Sequence, residues 1–442
     1  MITLEEFLKS LTEQIRCVKA REGVAHELSD HILDQAQAYE KSGIEHEKAV
    51  EMAVREMGDP VEIGVSLDRI HRPQIDWKMI LLTFALSIAG LFVIQLMYGP
   101  ERPSVFGKQL IYTIAGFAVI AGVNFVDYSI IGRFGYAIYA VLTIAFWIGR
   151  MLLPTMNGRV PAMSMLVYLY LPAFAGVLYR LRRRGYGAVM KSIIVIMATT
   201  LFVLVLSDSI TVVLNIFLIC MLMLIIAINK NMFCVNKKYM KIMTAGIALF
   251  PFPAAVLYFS ICGAAYQKER MHAFFNPYRY ETSYGYIYAR IRDMLQGAKL
   301  IGPGTGADFS NELTLNSGLI PLQLIYSYGL IAGAVLLALF VLFVMRAMKI
   351  VRCQKNQLGI LVSASCFLVI TVNCLEGILM NMGLCPVTTV SIPFLTYGGS
   401  AALVYAVLIG LLMSVHRYEK VITADTSEYQ PKWRIQVRLE KR

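Results

Sequence analysis

Charge is scarce in this sequence. Of its 442 residues only 16% are Asp, Glu, Lys or Arg, while 57% are hydrophobic and the mean hydropathy is +0.60. A water-soluble domain has no single core able to hide that much apolar surface, so a soluble enzyme or binding module is excluded. No two cysteines stand in CxxC spacing. The 8 present are scattered, mostly within apolar runs, where they read as small packing residues rather than disulfides or metal ligands. An early, short apolar stretch is also missing, and the first run able to span comes too late and is too long for a cleavable signal peptide. A nucleic-acid partner is excluded as well. The net charge of +12 comes from Lys and Arg in short loops beside apolar segments, the positive-inside pattern of a membrane protein.

What is present is a series of apolar runs of roughly 17 to 25 residues, the length that crosses a bilayer. They fall near 78–98, 108–126, 134–152, 163–181, 190–207, 209–228, 241–262, 319–345, 358–380 and 397–415, which predicts an all-α polytopic protein of about ten membrane helices. Every second loop is basic: Arg180 and Arg182 to Arg184 follow the fourth run, Lys230, Lys237 and Lys238 the sixth, and Arg346, Lys349 and Arg352 the eighth. Both termini are therefore expected in the cytoplasm, with a basic cytosolic tail over 416–442. The tightest junction is "VLSDSITVV", where Asp208 leaves almost no loop between two runs and one long kinked helix is the competing reading.

Residues 1–72 have a different character, charged and helix-rich, and read as a small cytosolic helical domain. In "MGDPVEIG", Gly58 suits a helix end in the left-handed conformation, Asp59 an N-cap and Pro60 a first turn. His26 and His31 with Asp30 and Asp34 read as solvated side chains on one polar face rather than a metal site. The whole stretch resembles the permease prefix domain found ahead of various bacterial membrane proteins, which implies a docking or regulatory module for a cytosolic partner.

The loop at about 263–318 is the long one, and topology places it outside, where loops of this length are usually functional. It is rich in aromatics ("AFFNPYRYETSYGYIYARIRD") and then glycine-rich ("GPGTG"). The aromatics suit a membrane interface or a platform for a lipid-linked sugar. The glycines form a weak phosphate-loop signal, with no Lys-Ser/Thr after them and no strand before. Ionisable residues inside spans are costly and by default functional. Those in or bordering the runs include Asp208, Glu376 in "NCLEGILM", Arg150 and Arg159. Glu376 reads either as a pathway acid or as a hydrogen-bonded packing acid.

Near the C-terminus, "NMGLCPVTTVSIPFLTYGGSAALVYAVLIGLLMS" breaks the chain with Pro386, Pro393 and Gly398-Gly399 at membrane depth, which is tolerated only where protein or a watery cavity surrounds the backbone. This stretch resembles the C-terminal signature of the SEDS proteins (shape, elongation, division and sporulation), typified by FtsW, RodA and SpoVE. "ERMHAFFNPYRY", "AKLIGPGTG" and "NGR" at 157–159 are similar to shorter family segments, and the resemblance spans about 78–415. It implies handling of lipid II, or another prenyl-pyrophosphate-linked sugar, at the outer face of the bacterial cell membrane. The implied activity is peptidoglycan glycosyl transfer, alongside a class B penicillin-binding protein. Such chemistry needs a base for the attacking hydroxyl and positive charge, or a divalent cation, for the leaving pyrophosphate; no dedicated metal site is expected. The resemblance implies Arg159, Asp208, Asn316, Tyr397 and Ser400 as substrate-binding candidates.

Here the sequence departs from the family. Anchored on Gly329 in "SYGLIAG", the position that the resemblance assigns to an acid falls on Gly318. The nearest replacements are Asp308 and Glu312. The polar centre expected early in the fourth span is also replaced, by apolar "PAMSMLVYLYLP". Three functions stay open: a glycosyltransferase using another acid, a lipid II flippase, and a catalytically silent regulator or scaffold of cell-wall synthesis.

Overall fold

The computed structural model describes residues 3–98, 103–154, 160–207, 209–262, 265–305, 317–389, 391–419 and 421. Among them every regular element is helical, and the chain divides into two units.

The N-terminal unit, essentially residues up to Pro73, holds α1 (Leu4–Glu13), α2 (Val18–Lys41), α3 (His46–Met57) and α4 (Pro60–Ile70). Phe7, Leu11, Ile15, Ile32, Ala49 and Ala53 form its core. Thr3 and Glu6 close a reciprocal cap on α1. Asp59 caps α4, its Oδ1 accepting from the Val61 N–H at 2.9 Å, with Pro60 in the first turn. Gly58 has φ 92° and ψ −152°, a positive φ that glycine tolerates but outside the left-handed helical region expected of it. His26 meets only Asp30, both side chains mostly in solvent.

The membrane unit holds α5 (Trp77–Tyr98), α6 (Pro103–Phe125), the short α7 (Ser129–Arg133), α8 (Gly135–Leu152), α9 (Met163–Leu166) continued by a 3-10 turn into α10 (Tyr170–Leu181), α11 (Tyr186–Ser207) and α12 (Ile210–Asn229). After α13 (Lys237–Leu249) and α14 (Pro251–Ile261) come the loop helices α15 (Ala265–Phe275) and α16 (Tyr286–Gly297). Then follow α17 (Ile320–Tyr328), α18 (Leu330–Cys353), α19 (Gln357–Asn381) and α20 (Gly399–Arg417). Nine helical segments among the described residues are long and apolar enough to cross a membrane, α9 and α10 counting as one. The chain is a multi-pass membrane protein. Its helices alternate in direction, so one end of the bundle carries the loop of α15 and α16; it is called the loop end below.

Two predicted spans differ from continuous helices. The run at 241–262 is interrupted at Phe250, because Pro251 and Pro253 lack the N–H groups that would bond back to the preceding turn. The run at 319–345 breaks at Gly329, which has φ 101°; a Cβ there would lie 2.6 Å from the Leu300 carbonyl oxygen. The Leu330 and Ile331 N–H groups bond instead to the carbonyls of Lys299 and Leu300. The last helix continues through Arg417, two residues into the region expected as tail; residues 422–442 lie outside the described ones. At the opposite end of the bundle Asp76 caps α5 through the Met79 N–H at 3.0 Å and pairs with Arg346 of α18, with Nη2 to Oδ1 at 2.8 Å and Nε to Oδ2 at 2.9 Å.

Candidate functional site

Toward the loop end, the last turns of α19 carry three polar side chains: Asn373, Glu376 and Asn381. Asn381 donates to the carbonyls of Gly318 (2.9 Å) and Gly377 (2.7 Å) and accepts from the Leu322 N–H (3.0 Å). One amide thus fixes both Gly318 and the start of α17. Met380, Ile291, Met294, Leu319, Leu322 and Tyr326 pack beside it into an apolar cluster that seats the loop helix α16 on the bundle.

Five residues before Asn381, about 7 Å along the helix, stands Glu376. Its Oε2 accepts from Asn215 Nδ2 of α12 at 2.6 Å and its Oε1 from Thr388 Oγ1 at 3.0 Å. Asn215 Nδ2 also reaches the Tyr168 hydroxyl at 3.4 Å. Nearby, Asn373 Nδ2 donates to the Tyr405 hydroxyl (3.0 Å), which donates to the Ser391 carbonyl (2.5 Å). Four segments distant in sequence therefore meet around one carboxylate: 168, 215, 373–376 and 388–405. Glu376 is partly exposed, whereas Tyr168, Asn215 and Asn373 behind it are buried. No cation pairs with Glu376 among the described residues. Ser209 Oγ stands 3.4 Å from Thr389 Oγ1, so the α11–α12 junction borders the same opening.

The same helix α12 also borders an apolar groove of about 490 Å³, walled by Met197 and Thr200 of α11, Leu214 and Phe217 of α12, and Gly246, Ile247, Phe250 and Pro251 at the α13–α14 break. Leu214 faces the groove while its chain neighbour Asn215 holds Glu376. The volume lies in the range of small-ligand sites.

The break at 391–398 does not line that groove. Its enclosed cavity, between α6, α20 and Ser391 to Thr396, is only about 40 Å³. Phe394 fills the space: its ring packs on Phe343 and its carbonyl oxygen crowds Gly90, where a Cβ would lie 2.1 Å away. Phe394 holds φ 68°, a strained value for a bulky residue.

The glycine-rich turn also has another role than cradling phosphate. The N–H groups of Gly302, Gly304 and Thr305 donate to the carbonyls of Tyr328, Tyr326 and Gly297. Gly304 lets the Tyr326 ring come within 2.5 Å of where a Cβ would stand. These donors are spent on the fold. In the same loop the Tyr278 hydroxyl donates to Asp293 at 2.9 Å, which pushes its ionisation up from the usual phenol range.

Of the candidates read from the sequence, Arg159, Asp208, Asp308, Glu312 and Asn316 lie outside the described residues. Gly318 is buried and fixed by Asn381. Tyr397 sits at the loop end against the rings of Tyr98 and Tyr112, with centroids 6.5 and 6.4 Å away. Ser400 lies in the first turn of α20. Asn215, Thr388, Asn373 and Tyr405 were missed. The signal that points to them is the single acid in the described spans and two asparagines inside otherwise apolar helices.

Fold and site together define a polytopic helical membrane protein with a partly open polar cluster and an apolar groove toward the loop end. The chain matches the FtsW/RodA/SpoVE family, described as "Cell cycle protein", over residues 76–421, and it belongs to that family. It is 26% identical over 162 residues to the peptidoglycan glycosyltransferase MrdB of Escherichia coli (strain K12), a match covering 36% of this chain and 44% of MrdB, so the chain spans less than half of that relative. It is 20% identical over 383 residues to the probable peptidoglycan glycosyltransferase FtsW of Geobacter sulfurreducens (strain DL-1 / KN400), covering 80% of this chain and 98% of that protein. Its fold resembles the rod shape determining protein RodA of Thermus thermophilus (TM-score 0.53, 14% identity, 78% of this chain and 97% of RodA). It also resembles a chain from a structure of a peptidoglycan synthase complex that coordinates polymerisation and crosslinking (TM-score 0.60, 15% identity, 78% of this chain and 98% of that one).

Proposed function

We propose that this protein binds lipid II at the outer face of the bacterial cell membrane and polymerises its disaccharide into glycan strands. The observation that carries the reading is that α12 presents Leu214 to an apolar groove and, from its next residue, Asn215 to Glu376. A prenyl-pyrophosphate-linked sugar needs both: an apolar channel for the chain and polar groups for the headgroup. The names of the relatives support the same activity.

In this reading the loop end faces outward and both termini lie in the cytoplasm. The N-terminal unit docks a cytosolic regulator, and a class B penicillin-binding protein supplies crosslinking from outside. Arg159, Asp208 and Asn316 are proposed headgroup contacts, with Tyr397 and Ser400 at the loop end of α20. Among the described residues no cluster of three acidic, His or Cys side chains is placed to hold a metal; a divalent cation, if the reaction uses one, is carried mainly by the pyrophosphate. Loss of activity in EDTA and its return with magnesium test that point.

The deciding experiment is purified full-length chain, with and without a class B penicillin-binding protein, incubated with lipid II and read as glycan products on a gel. Glycan strands are expected. Lipid II binding with no product in any combination rejects the polymerase and leaves a flippase or scaffold. Orientation is tested separately by labelling single cysteines in intact cells. Cys234, exposed at the far end, should be shielded, and Leu300→Cys in the loop should react.

A further inference from the structure

Glu376 is the sole Asp or Glu within the nine described spans. Both its oxygens accept hydrogen bonds, one from an amide and one from a hydroxyl, and no described Lys, Arg or His neutralises it. An acid in such a place is costly unless it serves a proton, a cation or a substrate. A cation partner would stabilise the anion strongly and discourage proton uptake; neutral donors orient the carboxylate and stabilise the anion less. The group is also partly exposed, while Tyr168, Asn215 and Asn373 around it are buried. Gly318, by contrast, has no side chain, is buried, and is held through its carbonyl by Asn381, which lies a turn and a half beyond Glu376 on the same helix.

We propose that Glu376 is the proton acceptor for glycosyl transfer in this protein, taking the place of any acid in the 306–318 segment. The inference rests on the polymerase reading above. In the step, the acceptor sugar's hydroxyl oxygen bonds to the anomeric carbon of the donor, and that hydroxyl's proton passes to the Glu376 carboxylate. The bond between the anomeric carbon and the pyrophosphate oxygen breaks, its electron pair leaving with the prenyl pyrophosphate. Glu376, now a neutral carboxylic acid, returns its proton to water at the opening. Asn215 and Thr388 are positioning residues that aim the carboxylate.

The test uses purified full-length protein and lipid II. Glu376→Gln keeps the size of the side chain and removes its basicity, and a general base contributes on the order of 100- to 10,000-fold. The expected result is a rate loss in that range with lipid II binding retained. Asp308→Asn with Glu312→Gln should leave the rate near that of the natural chain. Gly318 lies in the 3-10 turn Ser317–Leu319, a backbone that an L-residue adopts. Gly318→Asp in the natural chain should be neutral or improve the rate, and in the Glu376→Gln background it should restore part of the loss. A second measurement needs no variant: a hydrophobic carbodiimide should modify Glu376 in the natural chain, and saturating lipid II should shield it.

Natural rates in Glu376→Gln, or no shielding by lipid II, overturn the proposal while leaving the polymerase reading intact. Abolition by the Asp308/Glu312 double change also overturns it and moves the base to the loop. A natural chain that binds lipid II but makes no glycan rejects the polymerase and the base with it, and is told apart from the other outcomes because the unaltered protein is itself silent.

Discussion

Asp76 and Glu376 stand toward opposite ends of the same helical bundle, and each is held by hydrogen bonds on both carboxylate oxygens. Asp76 is held by a guanidinium and by the first turn of α5, with its side chain only 1% exposed. Glu376 is held by an amide and a hydroxyl and is partly exposed. The first arrangement satisfies charge as well as hydrogen bonding and ties α5 to α18. The second satisfies hydrogen bonding alone. The two carboxylates differ in exposure and also in the charge of the partner.

The largest effect should come from breaking the charged pair. Arg346→Met leaves Asp76 buried without its cation and should cost about 3–5 kcal/mol, read as a lower unfolding temperature in detergent. Adding Asp76→Asn, which keeps the cap on α5, should recover much of that loss. Unchanged stability in Arg346→Met would mean the pair is solvated. Next comes the tie between Gly318 and α19: Asn381→Leu strips the partners from a buried carbonyl and the Leu322 N–H, about 1–3 kcal/mol, with faster hydrogen exchange at Leu322 as the local signature.

Glu376→Gln sharpens the contrast from the other side. With no described cation to strand, its stability should change by less than about 1 kcal/mol, and a loss as large as that of Arg346→Met would reveal a further charge partner. The smallest effect lies in the N-terminal unit, where Asp68 accepts from the Arg16 N–H and from Arg72. Those bonds hold its carboxyl below the usual range. A depressed folded value means the contribution is complete above the unfolded value of about 3.9 and is lost as pH falls through the folded one. Hydrogen exchange at the Arg16 amide should quicken only below about pH 4; quickening already at pH 6 would assign that protection to another group.

Much of this fold is legible in hydropathy because each span is a local property of some twenty residues. Helix ends set by adjacent residues, such as Gly58-Asp59-Pro60, are legible for the same reason. The breaks in two spans are less so. Pro251 announces itself, but Gly329 takes its positive φ because residues 299–301 press against it, a contact made by a separate segment. The glycine-rich turn misleads for the same cause: its N–H groups find partners at 326 and 328 that spacing alone does not reveal. Glu376 stands out in the sequence as a lone acid, yet its meaning depends on Asn215, 161 positions away. The 391–398 break was correctly read as irregular backbone inside the bundle, and what surrounds it is protein, Phe394 and Phe343, rather than a wide channel.

The pairing of 299–305 with 326–331 has a bearing on how this protein is handled at the bench. Thr305 is bonded to Gly297, and Gly318, a dozen residues on, is bonded to Asn381. Both flanks of the intervening segment are thus fastened to helices whatever its composition. Doubling the length of a loop between fixed ends costs only about 0.6 kcal/mol, so an epitope or a fluorophore-bearing peptide spliced between 306 and 316 should leave the bundle undisturbed. That makes the segment a natural place to mount a reporter for following the protein in living cells.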